Sequence, residues 1–211
     1  MKIKWLNFFI LVMVIAGFGK TDVKDIVKKL QKKYDKINTV YVEFKMINKF
    51  QLTGLESEVF GNLWLTRDNR FRLETEDQLL VSDTKTFWRY NKLDNQVLVD
   101  YAKKGEQDVF LSDFLFKVED AYYSQILSEE KIEGKKVWQI KLTPKNSDDS
   151  FFQYIKVWVR DNVWDFTKIQ YVDYNDNEVE YQILKLNTDA KPSGNIFLFE
   201  AAEGVEVIDL R

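Results

Sequence analysis

The stretch Val40-Tyr-Val-Glu-Phe-Lys-Met46 decides the fold. Val40, Val42, Phe44 and Met46 alternate with Tyr41, Glu43 and Lys45, a period of two that sends one set to each face of a β-strand. The same alternation sets Phe71 and Leu73 against Arg70, Arg72 and Glu74. It sets Ile155, Val157 and Val159 against Tyr154, Lys156 and Trp158, and Val179, Tyr181 and Ile183 against Glu180 and Gln182. Residues 58–66, 79–83, 86–91, 95–101, 124–132, 136–143 and 165–173 read as further strands. Turn residues part them, at Thr53-Gly54, Arg67 to Asn69, Asp83 to Lys85, Asp94-Asn95, Gly134, Asn146 to Asp149 and Asn175 to Asn177. Strands that follow one another without crossover helices imply an antiparallel meander.

Two segments depart from this rhythm. Over residues 22–37, Val23, Ile26, Val27, Leu30, Tyr34 and Ile37 recur at helical spacing, with Asp22 and Asp25 at the positive end and Lys32, Lys33 and Lys36 near the negative end. Residues 108–124 interrupt the strands with Val109, Phe110, Leu111, Phe114, Leu115 and Phe116, then Ala121, Tyr122 and Tyr123. That reads as one or two short helices whose apolar side must lie on something apolar, such as the open face of a curved sheet.

The chain of 211 residues is 45% hydrophobic and 31% charged, which suits one globular domain with a sizeable core. It has no His and no Cys, so Ser-His-Asp and Cys-His nucleophile systems, His/Cys zinc sites, haem, iron–sulfur clusters and disulfides are excluded, while a carboxylate or Lys catalyst stays open. Lys2 and Lys4, the apolar run Trp5 to Phe18, and the small residues Gly17 and Gly19 read as an export signal cut after Gly19. The run is shorter than the ~20 residues a membrane-spanning helix needs. Losing residues 1–19 takes the net charge from −3 to −5. No basic block remains to hold nucleic acid or an anionic membrane. The expected organisation is a signal peptide at 1–19 and one domain at 20–211, free in the periplasm.

Motifs for chemistry are weak. Gly17-Phe-Gly-Lys-Thr21 resembles the end of a phosphate loop, but Val14 stands where that pattern needs Gly. Asp173-Tyr-Asn-Asp-Asn177 begins like a calcium loop, yet Glu178 and Leu184 occupy its Gly and acid positions, and a hairpin turn explains it better. Glu74 and Glu76 share a strand face and are the one candidate acid pair, while Glu129-Glu130 and Asp148-Asp149 read as solvated loop charges. Neither an enzyme nor a cofactor is expected. Aromatic residues reach 15%, and the Phe/Trp/Tyr/Val stripes fit a filled core or a curved sheet around a lipid cavity; composition does not separate the two.

Two blocks carry a resemblance: Gly61-Asn-Leu-Trp-Leu-Thr-Arg-Asp-Asn-Arg-Phe-Arg72, and Leu79-Leu-Val-Ser-Asp-Thr-Lys-Thr-Phe-Trp-Arg-Tyr-Asn91 closing with Asn95-Gln-Val97. Leu142-Thr-Pro-Lys145, Phe197-Leu-Phe199 and Gly204-Val205 follow in the same order. With them the chain resembles the periplasmic lipoprotein carrier protein family, chaperones that take lipoproteins from the inner to the outer membrane. Asp68, Thr84, Ala201 and Ala202 stand where that family has Pro, Gly, Pro and Pro, all in turns or loops.

The resemblance implies a mainly β fold: an incomplete antiparallel β-barrel of about eleven strands, with an N-terminal helix and short lid helices. It implies acyl chains held inside, with Phe71 and Leu73 at the cavity mouth and Trp64, Val81, Trp88, Tyr90 and Val157 as further lining candidates. Arg67 matches a family Arg that bonds lid carbonyls and keeps the empty state shut, and Phe110, Leu111, Phe114 and Leu115 fall in the lid. The implied partners are lipidated lipoproteins and an inner-membrane ABC lipoprotein-releasing complex, with an outer-membrane receptor as candidate acceptor and only transient membrane contact. A monomer is expected. The alternative is a lipid-binding sensor or regulatory module on the same half-barrel, which is expected to carry a tether or an added domain.

Overall fold

The computed structural model describes residues 21–102, 118–148 and 150–211. The proposed signal segment, Asp149 and the lid positions Phe110, Leu111, Phe114 and Leu115 lie outside them. Helix α1 (Val23–Tyr34) precedes six strands: β1 (Thr39–Lys49), β2 (Glu56–Thr66), β3 (Phe71–Thr75), β4 (Gln78–Ser82), β5 (Thr86–Asn91) and β6 (Gln96–Tyr101). A single turn of helix, α2 (Val118–Ala121), leads into β7 (Tyr122–Ile132), β8 (Lys135–Pro144), β9 (Phe152–Arg160), β10 (Asp165–Asp173), β11 (Glu178–Asn187) and β12 (Glu206–Asp209). Of the 108–124 segment read as helical, residues 118–121 are helix and 122 onward is strand.

All twelve strands form one sheet in the order β12-β6-β5-β4-β3-β2-β1-β11-β10-β9-β8-β7. Strands β1 to β11 pair antiparallel throughout, and β12 runs parallel to β6. The sheet therefore has two ends, β12 and β7, and does not close among the described residues. A flat sheet this wide would reach about 50 Å at ~4.8 Å per strand. One cluster of buried side chains nonetheless joins α1 to strands from β5 (Phe87) to β8 (Ile140). A helix ~10 Å across can do that only if the sheet curls around it.

Sequence explains why α1 lies there. Ile26, Val27, Leu30 and Tyr34 form its buried stripe. Asp22 caps its start by accepting from the Lys24 amide at 3.0 Å. Regular helix stops at Tyr34, three residues before the end of the apolar pattern. The chain tightens instead, with the amides of Lys36 and Ile37 reaching back three residues to Lys33 and Tyr34 at 3.2 and 3.1 Å.

The turn at Thr84 is strained. Its φ is +83°, a conformation that suits the Gly the resemblance leads one to expect and crowds a β-branched side chain. Asp83 holds the turn by accepting from the amides of Lys85 and Thr86 at 2.9 and 2.7 Å. Thr84→Gly is expected to stabilise the protein by about 0.5–1 kcal/mol, strain relief outweighing glycine's added unfolded-state entropy. A denaturation midpoint at or below that of the parent would show that the turn accommodates threonine.

Candidate functional site

Cross-strand register assigns each proposed lining residue to a face. Leu65 faces Phe71, and Leu63 faces Leu73. Phe71 continues to Ser82, and Leu73 to Leu80. This is the face that α1 covers. Val157 lies on it too, between Ile140 of β8 and Ile169 of β10. Phe71, Leu73 and Val157 are buried in the cluster beneath the helix.

The other four proposed lining residues are on the opposite face, which corrects the expectation. Trp64 faces Arg72, Arg72 faces Val81, Val81 faces Trp88, and Leu79 faces Tyr90. In β4 the outer set, Leu79 and Val81, is more apolar than the inner set of Gln78, Leu80 and Ser82, so period two pointed to the wrong face. The outer set is covered by the C-terminal segment. Phe199 packs on Tyr90 with ring centroids 5.3 Å apart, Arg70 lies over the Phe197 ring, and Arg72 donates to the Ile196 carbonyl at 3.4 Å. Toward β5 and β6 the inner face turns polar, since register places Ser82, Arg89 and Asp100 there.

Two hairpin turns fasten α1 across this inner face. From the β2–β3 turn, Arg67 Nη2 donates to the Tyr34 carbonyl at 2.5 Å and to the Ile37 carbonyl at 3.0 Å, and its Nε donates to the Ile37 carbonyl at 3.1 Å. Arg67 suits the post because its rigid, permanently charged fork of donors meets carbonyls at the negative end of a helix. Its partners among the described residues are thus at the end of α1; the lid carbonyls implied by the resemblance lie outside them. From the β9–β10 turn, Asp165 pairs with Lys33, which also donates to the Val163 carbonyl at 3.0 Å, and Lys29 lies over the Trp164 ring. The Lys33–Asp165 clamp went unread in the sequence, where 131 residues stand between its partners and no local pattern links them.

Between helix and sheet lies a cavity of about 20 Å³, lined by Tyr34, Val42, Phe44, Leu63, Phe166, Ile169, Tyr181, Ile183 and Leu186. It holds about one water at most, and its wall is apolar among the described residues. The Tyr34 hydroxyl is buried and lacks a hydrogen bond of normal geometry among the described residues. Burial pushes this phenol far above its ordinary range; the Asp165 carboxylate pushes the same way, and the Phe166 amide opposes them. Tyr34→Phe should therefore cost nothing or stabilise by up to about 1 kcal/mol, because an unsatisfied buried polar atom is removed. The Arg67 contact survives, since it uses the backbone carbonyl. A loss above ~1 kcal/mol in chemical denaturation would mean that the hydroxyl is paired.

The candidate acid pair dissolves. Glu76 lies beyond the end of β3, exposed in the following turn. Glu74 is on the outer face, 3.0 Å from Lys92 and 3.4 Å from Arg72. Partial burial raises its carboxyl, but Lys92 and Arg72 together hold it below the usual value. It is a charged structural group at neutral pH.

Residues 35–200 match the family described as outer membrane lipoprotein carrier protein LolA. An outer-membrane lipoprotein carrier protein of Pectobacterium carotovorum is 27% identical over 213 residues, covering 99% of this chain and 98% of that protein. An uncharacterized protein of Methanocaldococcus jannaschii is 24% identical over 208 residues; the match takes in 96% of this chain but only 59% of that protein. The solved structure of an uncharacterized conserved protein from Thermus thermophilus superposes with a TM-score of 0.56 at 10% identity, over 88% of this chain and 98% of that one, a likeness of fold alone. With its open β-sheet wrapped on an N-terminal helix, the chain belongs to the outer membrane lipoprotein carrier protein LolA family.

Proposed function

We propose that this protein carries lipoproteins from the inner to the outer membrane, sheltering their acyl chains between α1 and the inner face of the sheet. The observation that carries the reading is an apolar inner face roofed by a helix that Arg67 holds on one side and Lys33–Asp165 on the other. Family membership supports it. The role places the protein in the periplasm, after removal of residues 1–19, and needs no covalent step, nucleotide or metal in the carrier itself.

The small cavity defines the state described. A space of about 20 Å³ cannot take a fatty acyl chain. In this proposal cargo enters by lifting α1 or parting the sheet. Each buried methylene contributes about 0.8 kcal/mol, so a fully buried long chain approaches ~12 kcal/mol, and several would pass the practical ceiling of non-covalent affinity. The free energy of opening offsets part of this, which allows release. In this proposal an ATP-driven inner-membrane complex opens the carrier and loads it, and a more apolar acceptor at the outer membrane withdraws the chains. Depletion of the protein, followed by fractionation of labelled lipoproteins, tests the role. Lipoproteins should accumulate in the inner membrane, and an unchanged distribution would refute it.

A further inference from the structure

Residues 50–55 join β1 to β2 and push Phe50, Leu52 and Leu55 into solvent, at 45, 97 and 64% exposure. Hairpin tips are ordinarily built from small and polar residues, so three large apolar side chains on one tip call for an occupant. The tip is well defined. The Phe50 amide donates to the Leu55 carbonyl at 2.9 Å, Gly54 to the Phe50 carbonyl at 2.8 Å, and Leu55 to Thr53 Oγ1 at 3.3 Å. The Gln51 amide donates to Asn177 Oδ1 at 3.1 Å, across to the β10–β11 turn. Asn177 is fixed in its turn by Asp173, which accepts from its backbone amide at 2.9 Å and its side-chain amide at 2.8 Å.

Three features of the tip identify what it meets. Four of its six amides have partners within the chain, so it loses little on leaving water. The charges on its stem cancel in pairs, Lys45 with Glu58 at 2.6 Å and Lys49 with Glu56 at 3.4 Å, and the neighbouring turn adds only the acids Asp173, Asp176 and Glu178, so attachment rests on apolar insertion and not on charge attraction. Tyr174, half in solvent in the neighbouring turn, offers the amphipathic ring that favours a headgroup layer. Three side chains on a narrow projection line no groove and fall far short of the ~800 Å² per partner of a stable protein interface.

We propose that the 50–55 tip dips into the acyl boundary of a lipid bilayer and brings the protein transiently to the membrane surface. Three side chains give weak and reversible attachment, as even a single lipid anchor does. Along β1 the tip stands about 33 Å from the Arg67 clamp, so the bilayer is met at the end of the sheet opposite the helix fastening. The inference rests on the carrier reading for its purpose, although the binding belongs to the tip itself.

The test sediments the purified chain with cargo-free vesicles of phosphatidylethanolamine and phosphatidylglycerol at about 3:1, in about 0.1 M and about 0.5 M salt. The wild type should co-sediment at both. The double variant Leu52→Asp, Leu55→Asp should bind at least about tenfold more weakly. Both positions are exposed, so the variant keeps its fold, which circular dichroism checks. Both proteins should take detergent-dispersed lipoprotein equally. The proposal is overturned if the wild type stays in solution, if binding vanishes in high salt, or if the variant binds as before. It is also overturned if the variant loses uptake from detergent, because the tip would then be part of the cargo site. A wild type that binds vesicles through the tip yet takes no cargo in any format leaves the tip standing and removes the carrier reading.

Discussion

Replacing Arg67 with leucine is expected to give a folded protein that takes up cargo readily and gives it back slowly. The three hydrogen bonds from Arg67 to the Tyr34 and Ile37 carbonyls exist only while α1 sits in place. They stabilise the shut form and leave the open form untouched. Arg67 itself is exposed, so water replaces part of what is lost, and we set the net effect at about 2 kcal/mol for the three bonds together. Lowering the free energy of opening by that amount raises the population able to hold a chain, and apparent affinity rises about 30-fold. Lys33→Met cuts the opposite fastening and should act in the same direction, with the two effects close to additive because the clamps share no partner. The measurement is the release rate of a fluorescent acyl probe or labelled lipoprotein into acceptor vesicles. Release at the parental rate in both variants would end the idea of α1 as a gate.

The second large effect is expected at Gly61. A β-carbon there would stand 2.7 Å from the Glu74 carbonyl oxygen of β3 and 2.7 Å from the Phe44 ring. Neither neighbour can retreat cheaply. The Glu74 backbone belongs to the β2–β3 ladder, and the Phe44 ring is enclosed against Tyr181 at 5.5 Å. Gly61→Ala should lose about 3 kcal/mol, the upper range for overpacking, read as a lower denaturant midpoint with an unchanged slope. Adding Phe44→Leu should return part of the loss; what remains belongs to the carbonyl clash. A parental midpoint for Gly61→Ala would show that the two strands part easily.

How much of this was legible in advance follows from what a local pattern can encode. Strand positions were, since alternation and turn residues both mark them: β5 and β10 lie where the pattern puts them, and the eleven antiparallel strands match the expected number. The strand β12 was not, because four residues are too short for a period and parallel pairing with β6 leaves no trace nearby. Phe71 and Leu73 face the helix, as their alternation with the charged Arg72 and Glu74 indicates, but neither lines the cavity beneath it. Trp64, Val81, Trp88 and Tyr90 were misread, because their face is apolar for another reason, the segment around Phe197 and Phe199 that covers it. Arg67 was singled out by resemblance, and its contact with the end of α1 needed the structure.

The pairing of β1 with β11 sets a timetable for making the protein. Tyr41 lies opposite Asn187, so the central seam of the sheet cannot zip until a stretch of chain about 150 residues longer has been synthesised. At ordinary elongation speeds of roughly 5–20 residues per second, the first strands wait on the order of ten seconds or more for their partner. Throughout that interval α1 and β1 have no completed sheet to settle against.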